Sequence, residues 1–148
     1  MAFLNNWDMK SANNVILRKG GQQHYVISVL GVSFGKTGSN PLPLFWRIGR
    51  SRNNPADYAK AKFVKGISKD RVKLVFNGKN RTRMHDITRA DARWLADLLT
   101  QLSDKQIEDA FRAANYSRSN QELLTRAVRD RINQLDAAGA DEGLAMYR

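Results

Sequence analysis

A helix-capping pattern recurs three times in the last 60 residues of this chain, and it constrains the fold more than any other feature. Each copy is a serine or threonine followed three positions later by a residue with a side-chain oxygen, the pattern of a capping box at a helix N-terminus. The pairs are Thr88 with Asp91, Ser103 with Gln106 and Ser119 with Glu122. The sequence therefore predicts three helices in this region.

Apolar residues recur within each predicted helix at spacings of three or four, which places them on one face. We predict that these faces pack in the core. Their members are Ala92, Leu95, Leu98, Leu99 and Leu102 in the first helix, Ile107, Ala110 and Phe111 in the second, and Leu123, Leu124, Ala127, Val128, Ile132 and Leu135 in the third. The Ala/Gly-rich residues 137–148 are predicted to be a frayed tail.

The first 85 residues have strand signals instead. Residues 15–30 read as a β-hairpin that turns at Gly20-Gly21, and residues 62–76 read as a second hairpin with Val72, Leu74 and Phe76 on its core face. Glycines and prolines interrupt residues 31–57, which we predict to be irregular. The predicted fold class is α+β, one domain with a basic hairpin and loop region at 1–85 and a helical region at 86–136.

Charge is distributed unevenly along the 148 residues. The net charge is +11, but residues 1–85 hold 16 Lys or Arg against three acids, whereas residues 86–148 hold nine against eleven. Such a basic segment favours an anionic partner, which could be a polyanion such as nucleic acid, a phosphorylated ligand or an acidic protein. The alternative is a solvated basic surface without a dedicated partner. No apolar run is long enough to span a membrane, and the lack of cysteine fits a cytoplasmic protein.

Asp8, Lys10 and Asn13 follow the spacing D-x-K-x-x-N. In phosphoryl transfer, a carboxylate orients the attacking hydroxyl, an ammonium group neutralises the moving phosphoryl group, and an amide oxygen holds a metal ion. A hairpin follows, and it leads into Val29-Leu30-Gly31-Val32-Ser33-Phe34-Gly35. The structural alternative is local turn chemistry, in which Asp8 and Asn13 cap their own backbone.

Residues 3–36, with Asn5-Asn6-Trp7-Asp8 through Asn14 and the later V-L-G-V-S-F-G, resemble the catalytic segment of atypical bacterial protein kinases of the spore-coat type. The resemblance implies that Asp8 is the catalytic base and Lys10 the phosphate-facing lysine. It implies that Asn13 binds the metal, with Asn14 as a second cofactor-binding asparagine. ATP and Mg²⁺ are the implied cofactors.

Two departures from the kinase pattern predict that the chain is not active alone. Val29 occupies the position of the metal-binding aspartate, and its isopropyl group cannot coordinate Mg²⁺. No N-terminal lobe precedes Met1 in the sequence, so the resemblance predicts either that the chain is a fragment or that a partner lobe or partner chain supplies the rest. Self-association is a further expectation. We expect Phe3, Leu4 and Trp7 to be left exposed for such contacts.

The alternative function is a small nucleic-acid-binding module. Trp46-Arg47-Ile48-Gly49-Arg50-Ser51-Arg52 interleaves aromatic and guanidinium groups, as in single-strand binders. Under either function we predict one set of anion-binding residues. They are Arg47, Arg50, Arg52, Lys60, Lys62, Lys65 and Lys69. His24 and His85 are too isolated for a metal site.

Overall fold

The computed structural model describes residues 1–39 and 48–140 and confirms the α+β class. Its strands are β1 (Asn14–Lys19), β2 (Gln22–Ile27), β3 (Thr37–Ser39), β4 (Ile48–Arg50), β5 (Val64–Ser68) and β6 (Arg71–Leu74). Its α-helices are α1 (Pro55–Lys60), α2 (Arg89–Leu99), α3 (Asp104–Ala113) and α4 (Arg118–Gly139). Three short 3₁₀ helices cover Ala2–Leu4, Ser11–Asn13 and Arg81–His85.

The described strands form three separate two-stranded antiparallel sheets, β1–β2, β3–β4 and β5–β6. Both predicted hairpins are confirmed. The β1–β2 turn uses Gly20 and Gly21 with φ of 58° and 77°, a backbone conformation that glycine adopts without steric cost. The β5–β6 turn places Lys69 at φ 55°. On β6, Val72 is buried while Arg71 and Lys73 are exposed, as the alternation predicts.

Residues 31–57 are more regular than predicted. They contribute the short strands β3 and β4 and the first residues of α1, whose N-terminus is capped by Asn54 accepting a 3.0 Å hydrogen bond from the backbone of Asp57. Pro55 stands at the first helical position, where its missing N–H costs nothing. The glycines and prolines therefore separate short elements here. Residues 40–47 lie outside the described part of the chain.

Two of the three predicted capping boxes are confirmed, and the third is wrong. Thr88 and Ser103 cap α2 and α3 with both reciprocal bonds present. Helix α4 instead begins after Ser117, whose carbonyl accepts from the Gln121 backbone at 2.9 Å. Glu122 pairs with Arg118 one turn earlier at 3.2 Å, so its carboxylate does not reach the Ser119 backbone.

Helix α4 contributes to both hydrophobic clusters found among the described residues. One cluster packs Leu135 and Ala138 against residues of the β5–β6 region and α2, and the other packs Leu124, Val128 and Ile132 against α1 and α3. The buried members of the two clusters are Ala2, Met9, Phe63, Val72, Phe76, Ala92, Ala96, Leu135 and Ala138 in the first, and Tyr58, Ile107, Phe111, Leu124, Ala127, Val128 and Ile132 in the second.

Three predicted core positions are wrong. Leu98 and Leu102 are 48% and 38% exposed, and Ala110 is also exposed. Helix α2 turns its alanines toward α4, where a Cβ on Gly139 would lie 2.7 Å from the backbone of Arg93. Such a close crossing favours small residues, so the larger Leu98 is displaced outward. Leu102 lies beyond the end of α2 at Leu99, in the turn before α3.

The predicted tail begins too early. Helix α4 continues through residue 137 to Gly139, and Ala138 is buried in the first cluster. Packing of this last turn against α2 outweighs the low helix preference of glycine. Residues 141–148 lie outside the described part of the chain.

Arg131 on α4 ties the N-terminal segment to the helices. The residue is 2% exposed, and its guanidinium donates to the carbonyls of Phe3 at 2.7 Å and Ala61 at 3.2 Å, and to the Asn5 side chain at 3.1 Å. The guanidinium also lies 4.1 Å from the ring centroid of Tyr58. Burial lowers the pKa of Arg131, and these oxygens and the ring compensate for the lost solvation.

The expectation that Phe3, Leu4 and Trp7 are exposed is wrong. All three are half-buried by the chain itself. The Phe3 ring meets Phe63 edge-on at 5.7 Å, and the Trp7 indole donates to the Ser51 carbonyl at 3.3 Å. No helix within the described residues is long and apolar enough to cross a membrane.

Candidate functional site

Two buried asparagines join the Asp8 segment to the segment that follows β2. The Asn5 amide donates to the carbonyl of Gly35 at 2.7 Å. The Asn6 amide donates to the carbonyl of Val29 at 2.7 Å, and its oxygen accepts from the backbone of Asp8 at 3.1 Å. One side chain therefore bridges position 8 and position 29, the two positions that the kinase resemblance pairs.

Asp8 is the centre of a cluster of polar side chains. The Lys79 ammonium group lies 2.8 Å from one carboxylate oxygen of Asp8, and the Lys10 ammonium group lies 3.5 Å from the other. The Asn13 amide donates 3.1 Å hydrogen bonds to the carboxylate and to the backbone carbonyl of Asp8. The structure thus brings together the three residues Asp8, Lys10 and Asn13 that the sequence singled out.

Lys79 reaches Asp8 because the chain after β6 docks on the Asp8 segment. The backbone N–H of Lys79 donates to the carbonyl of Trp7 at 2.9 Å, and the Asn80 side chain donates to the carbonyl of Met9 at 2.8 Å. Lys79 is separated from Asp8 by 71 positions, so no local spacing in the sequence points to it.

The lysines keep Asp8 ionised. Contact with the Lys79 ammonium group is the largest cause of the lowered pKa of Asp8, and the positive charges of Lys79 and Lys10 and the Asn13 hydrogen bond add to it. These contributions outweigh desolvation of a side chain that is 14% exposed. The pKa of Lys79 is raised, chiefly by the same contact with Asp8. Asp8 is therefore a carboxylate already neutralised by its neighbours.

These residues do not fit a magnesium site of the kinase type. The Asp8 carboxylate contacts two ammonium groups, the Asn13 amide nitrogen faces Asp8, and Val29 offers only a backbone carbonyl, which Asn6 already occupies. Within residues 1–39 and 48–140 there is no group of three His, Cys, Asp or Glu side chains that could hold a metal ion. Mg²⁺ prefers carboxylate oxygens and retained water, so the donor set lacks its main ligands.

Asn14 has a local structural contact. Its side chain donates to the carbonyl of Lys10 at 2.7 Å, closing the turn that leads into β1. This is the turn chemistry that the sequence left open as an alternative for this segment. Asn14 also lines the cavity described next.

A cavity of about 360 Å³ opens beside the Asp8 cluster. Its size is at the lower end of the range for small-molecule sites. Its lining consists of Met9, Lys10, Ser11, Asn14, Asn80 and Arg83. Lys10 and Arg83 are cationic, the serine and asparagines offer neutral hydrogen-bonding groups, and no carboxylate is among these six residues. The lining is thus chemically suited to an anion.

The residues of the predicted anion-binding set have different surroundings. Arg47 lies outside the described residues, whereas Arg52, Lys60 and Lys62 are exposed. Arg50 has structural contacts: its guanidinium donates to the carbonyls of Thr37 at 3.2 Å and Asn77 at 3.1 Å, and lies 4.7 Å from the Trp7 ring centroid.

Lys65 and Lys69 are the two predicted residues that share a site. Both line a groove of about 790 Å³ on the solvent side of β5–β6. The groove also contains Arg71, Lys73 and His85, which the sequence analysis did not assign to a site. The sequence pattern that indicates this placement is the alternation on β6, which predicts that Arg71 and Lys73 share the solvent-exposed face.

The chain was compared with family models, with curated proteins and with solved structures, and none of the three comparisons found a match. The resemblance to kinases therefore stays a prediction from the sequence, based on the residues of the Asp8 segment.

Proposed function

We propose that this chain is a kinase-like lobe that binds a phosphate-bearing ligand and does not transfer phosphate by itself. The observation that supports it is the pairing of Asp8 with Lys79 and Lys10 beside a cavity whose lining is cationic and neutral. The cluster keeps the acid, lysine and asparagine of a phosphoryl-transfer loop together. The cavity supplies groups that hold phosphate oxygens.

Lack of independent activity follows from the same geometry. Phosphoryl transfer depends on metal ions that neutralise the developing charge, and Val29 removes the carboxylate that would hold one. Asp8 is bound to Lys79 at 2.8 Å and has a lowered pKa, so it accepts a proton poorly. Losing one charge-stabilising group of this kind costs about 10²-fold or more in rate.

Calorimetric titration of pyrophosphate, ADP and ATP, with and without Mg²⁺, tests the binding. We expect binding that does not require Mg²⁺. Arg83→Gln should weaken it about tenfold or more, because one charge-assisted hydrogen bond is lost. Arg126→Gln, an exposed change on α4, removes the same charge elsewhere and should leave the affinity unchanged. No binding of any of the three ligands would contradict the proposal.

The kinase-like geometry has its own test at position 29. Val29→Asp places a carboxylate on the backbone that Asn6 holds next to Asp8. We expect nucleotide binding by this variant to become stronger in Mg²⁺, while the matched Val29→Asn variant lacks the new charge and should not respond. A folded Val29→Asp protein without any Mg²⁺ response would contradict the kinase-like arrangement.

Activity is tested with radiolabelled ATP and the purified chain. We expect no transfer above background. Turnover that is abolished by Asp8→Asn would show that the chain is an active phosphotransferase, and the proposal of an inactive lobe would be wrong.

A further inference from the structure

The solvent side of β5–β6 carries a second cationic site, separate from the Asp8 cluster. The groove there has a volume of about 790 Å³. Its lining consists of Lys65, Ser68, Lys69, Asp70, Arg71, Lys73, Leu74, Met84 and His85. Four of these residues are Lys or Arg and one is an acid, so the groove is strongly positive. No lining residue is Phe, Tyr or Trp.

A β-bulge collects the positive charges on one face. Val64 pairs with Leu74 and Gly66 pairs with Lys73, so Lys65 is the extra residue between two ladder positions. A bulge re-aims side chains relative to regular alternation. Gly66 at φ 155° provides the backbone conformation. As a result Lys65 lines the same groove as Lys73.

The lysines of this groove have no carboxylate partners. Within the described ranges no Asp or Glu oxygen lies within 4.0 Å of the ammonium groups of Lys65, Lys69 or Lys73. Arg71 donates to the backbone carbonyl of Asp86 at 2.7 Å, which fixes its position at the edge of the groove. Asp70 lies in the turn and is exposed.

We propose that this groove binds the phosphate backbone of double-stranded nucleic acid without reading its sequence. Single-strand sites combine positive charge with aromatic side chains on which bases stack, and the apolar lining residues here are Leu74 and Met84 instead. Unpaired lysines in an open groove are the groups that neutralise backbone phosphates and release their counterions. This goes beyond the proposed function, because none of its residues lines the cavity beside Asp8.

Fluorescence anisotropy with the full chain and a labelled duplex of about 20 base pairs, between about 50 and 200 mM salt, tests the site. We expect log K to fall linearly with log salt. The variant Lys65→Gln/Lys73→Gln removes two phosphate contacts, so its slope should be smaller by about 1.8. The control Lys105→Gln/Arg126→Gln makes the same charge change on α3 and α4 and should keep the wild-type slope.

Four outcomes would overturn the proposal. One is the absence of binding at low salt, and another is an equal loss of slope in the groove variant and the helix control. The third is tighter binding of a single strand of the same length, and the fourth is equal competition by polyglutamate. Pyrophosphate titration of the Lys65→Gln/Lys73→Gln variant separates this site from the Asp8 cavity. The variant should bind pyrophosphate in the Asp8 cavity with the wild-type affinity. Each proposal can therefore fail without the other.

Discussion

The hairpins β1–β2 and β5–β6 have similar lengths but opposite surroundings. In β1–β2, Ile16 is 53% exposed and Tyr25 is 76% exposed, and no other strand among the described residues pairs with this sheet. In β5–β6, Val72 is fully buried and the opposite face forms the basic groove. One hairpin is part of the core, and the other projects from it.

The difference follows from the order of residues in the strands. In β6, charged and apolar residues alternate, so one face is apolar and can be buried. In β1, Val15, Ile16 and Leu17 are consecutive, so both faces of the hairpin are apolar near its base. A strand with two apolar faces needs cover on both sides, and the described residues cover neither face. Alternation therefore predicts burial better than hydrophobic content does.

The attachments of the two hairpins differ in the same way. β5 is held by the Gln134 side chain of α4, which accepts from Val64 at 3.1 Å, and β6 is held by the carbonyl of Ile87, which accepts from Val72 at 2.9 Å. β1–β2 is closed at its base by the Ser28 backbone donating to the carbonyl of Asn13 at 3.0 Å. An isolated two-stranded hairpin is marginally stable in water, so β1–β2 should unfold before the rest.

The largest expected effect is a difference in the free energy of unfolding between a substitution beside β5–β6 and one in β1–β2. Phe63 precedes β5, is 1% exposed and packs edge-on against Phe3. Phe63→Ala should lower the free energy of unfolding by about 3–5 kcal/mol, because it leaves a cavity in the core. Tyr25→Ala in β2 removes an exposed ring and should change it by less than about 0.5 kcal/mol. Urea denaturation followed by circular dichroism measures both.

Phe63→Leu provides a milder variant if the alanine protein does not fold, and it should cost less than about 1.5 kcal/mol. Equal destabilisation by Phe63→Ala and Tyr25→Ala would mean that β1–β2 is as integrated in the core as β5–β6, which contradicts the comparison.

Asp8 connects the two hairpins, since it precedes β1 and contacts Lys79 after β6. Asp8→Asn should lower stability at pH 7 by about 1–2 kcal/mol, because it removes a charge-assisted contact that solvent partly screens. In the folded state the pKa of Asp8 is lower than its ordinary value of 3.8. The Asp8 contact therefore contributes fully to the free energy of unfolding above about pH 4. This contribution is lost as the pH falls through the folded-state pKa, because the unfolded chain binds more protons over that range.

Urea denaturation curves recorded from pH 7 down to the lowest pH at which the protein folds measure how the contribution of Asp8 to stability depends on pH. The Asp8→Asn variant should lose less stability on acidification than the wild type. Asp57, Asp91 and Asp109 also have lowered pKa values, so a residual acid dependence remains in both proteins. Identical acid profiles would show that the Asp8–Lys79 ion pair contributes nothing to folding.

Local patterns in the sequence predict many of the helices and strands of this fold. They do not predict the contacts between residues that are distant in the sequence. Both hairpins and two of three helix caps depend on neighbours within a few residues, which spacing can show. Asn54-Pro55 is a recognisable N-terminal signal for α1, but the many glycines and prolines around it led to the prediction of an irregular segment. The choice of Ser117 over Ser119 depends on where Gln121 and Glu122 find partners.

The candidate site shows the same limit. Asp8, Lys10 and Asn13 are close in sequence, so their proximity was predictable. Lys79 joins them only because the chain after β6 docks on the loop around Trp7. Arg50 looked like a free cation in its basic loop, but its guanidinium lies over the Trp7 ring. Such pairings are set by tertiary packing, which charge counts do not describe.

A smaller effect is expected at the β1–β2 turn. Gly21 has φ 77°, and nothing lies within 4 Å of where a Cβ would be. Gly21→Ala should therefore destabilise the hairpin through backbone strain alone, by about 1 kcal/mol. Because we expect the hairpin to open separately from the core, hydrogen exchange should accelerate in β1 and β2 while β6 stays protected. Equal acceleration in β6 would show that both hairpins unfold as one unit.

The smallest expected effect on stability concerns the exposed apolar face of β1–β2. Ile16 and Tyr25 are directly paired across the strands, and both side chains face solvent. Ile16→Thr keeps the β-branched shape that suits a strand, so the free energy of unfolding should change by less than about 0.5 kcal/mol. The sequence predicts self-association, and the structure leaves Ile16 exposed whereas Phe3 and Trp7 are half-buried. We therefore expect sedimentation to show weaker association of Ile16→Thr than of the wild type, with Leu98→Thr on the exposed side of α2 as a matched control. If the control reduces association and Ile16→Thr does not, the contact between copies runs through the helices, and the projecting hairpin is not the surface involved.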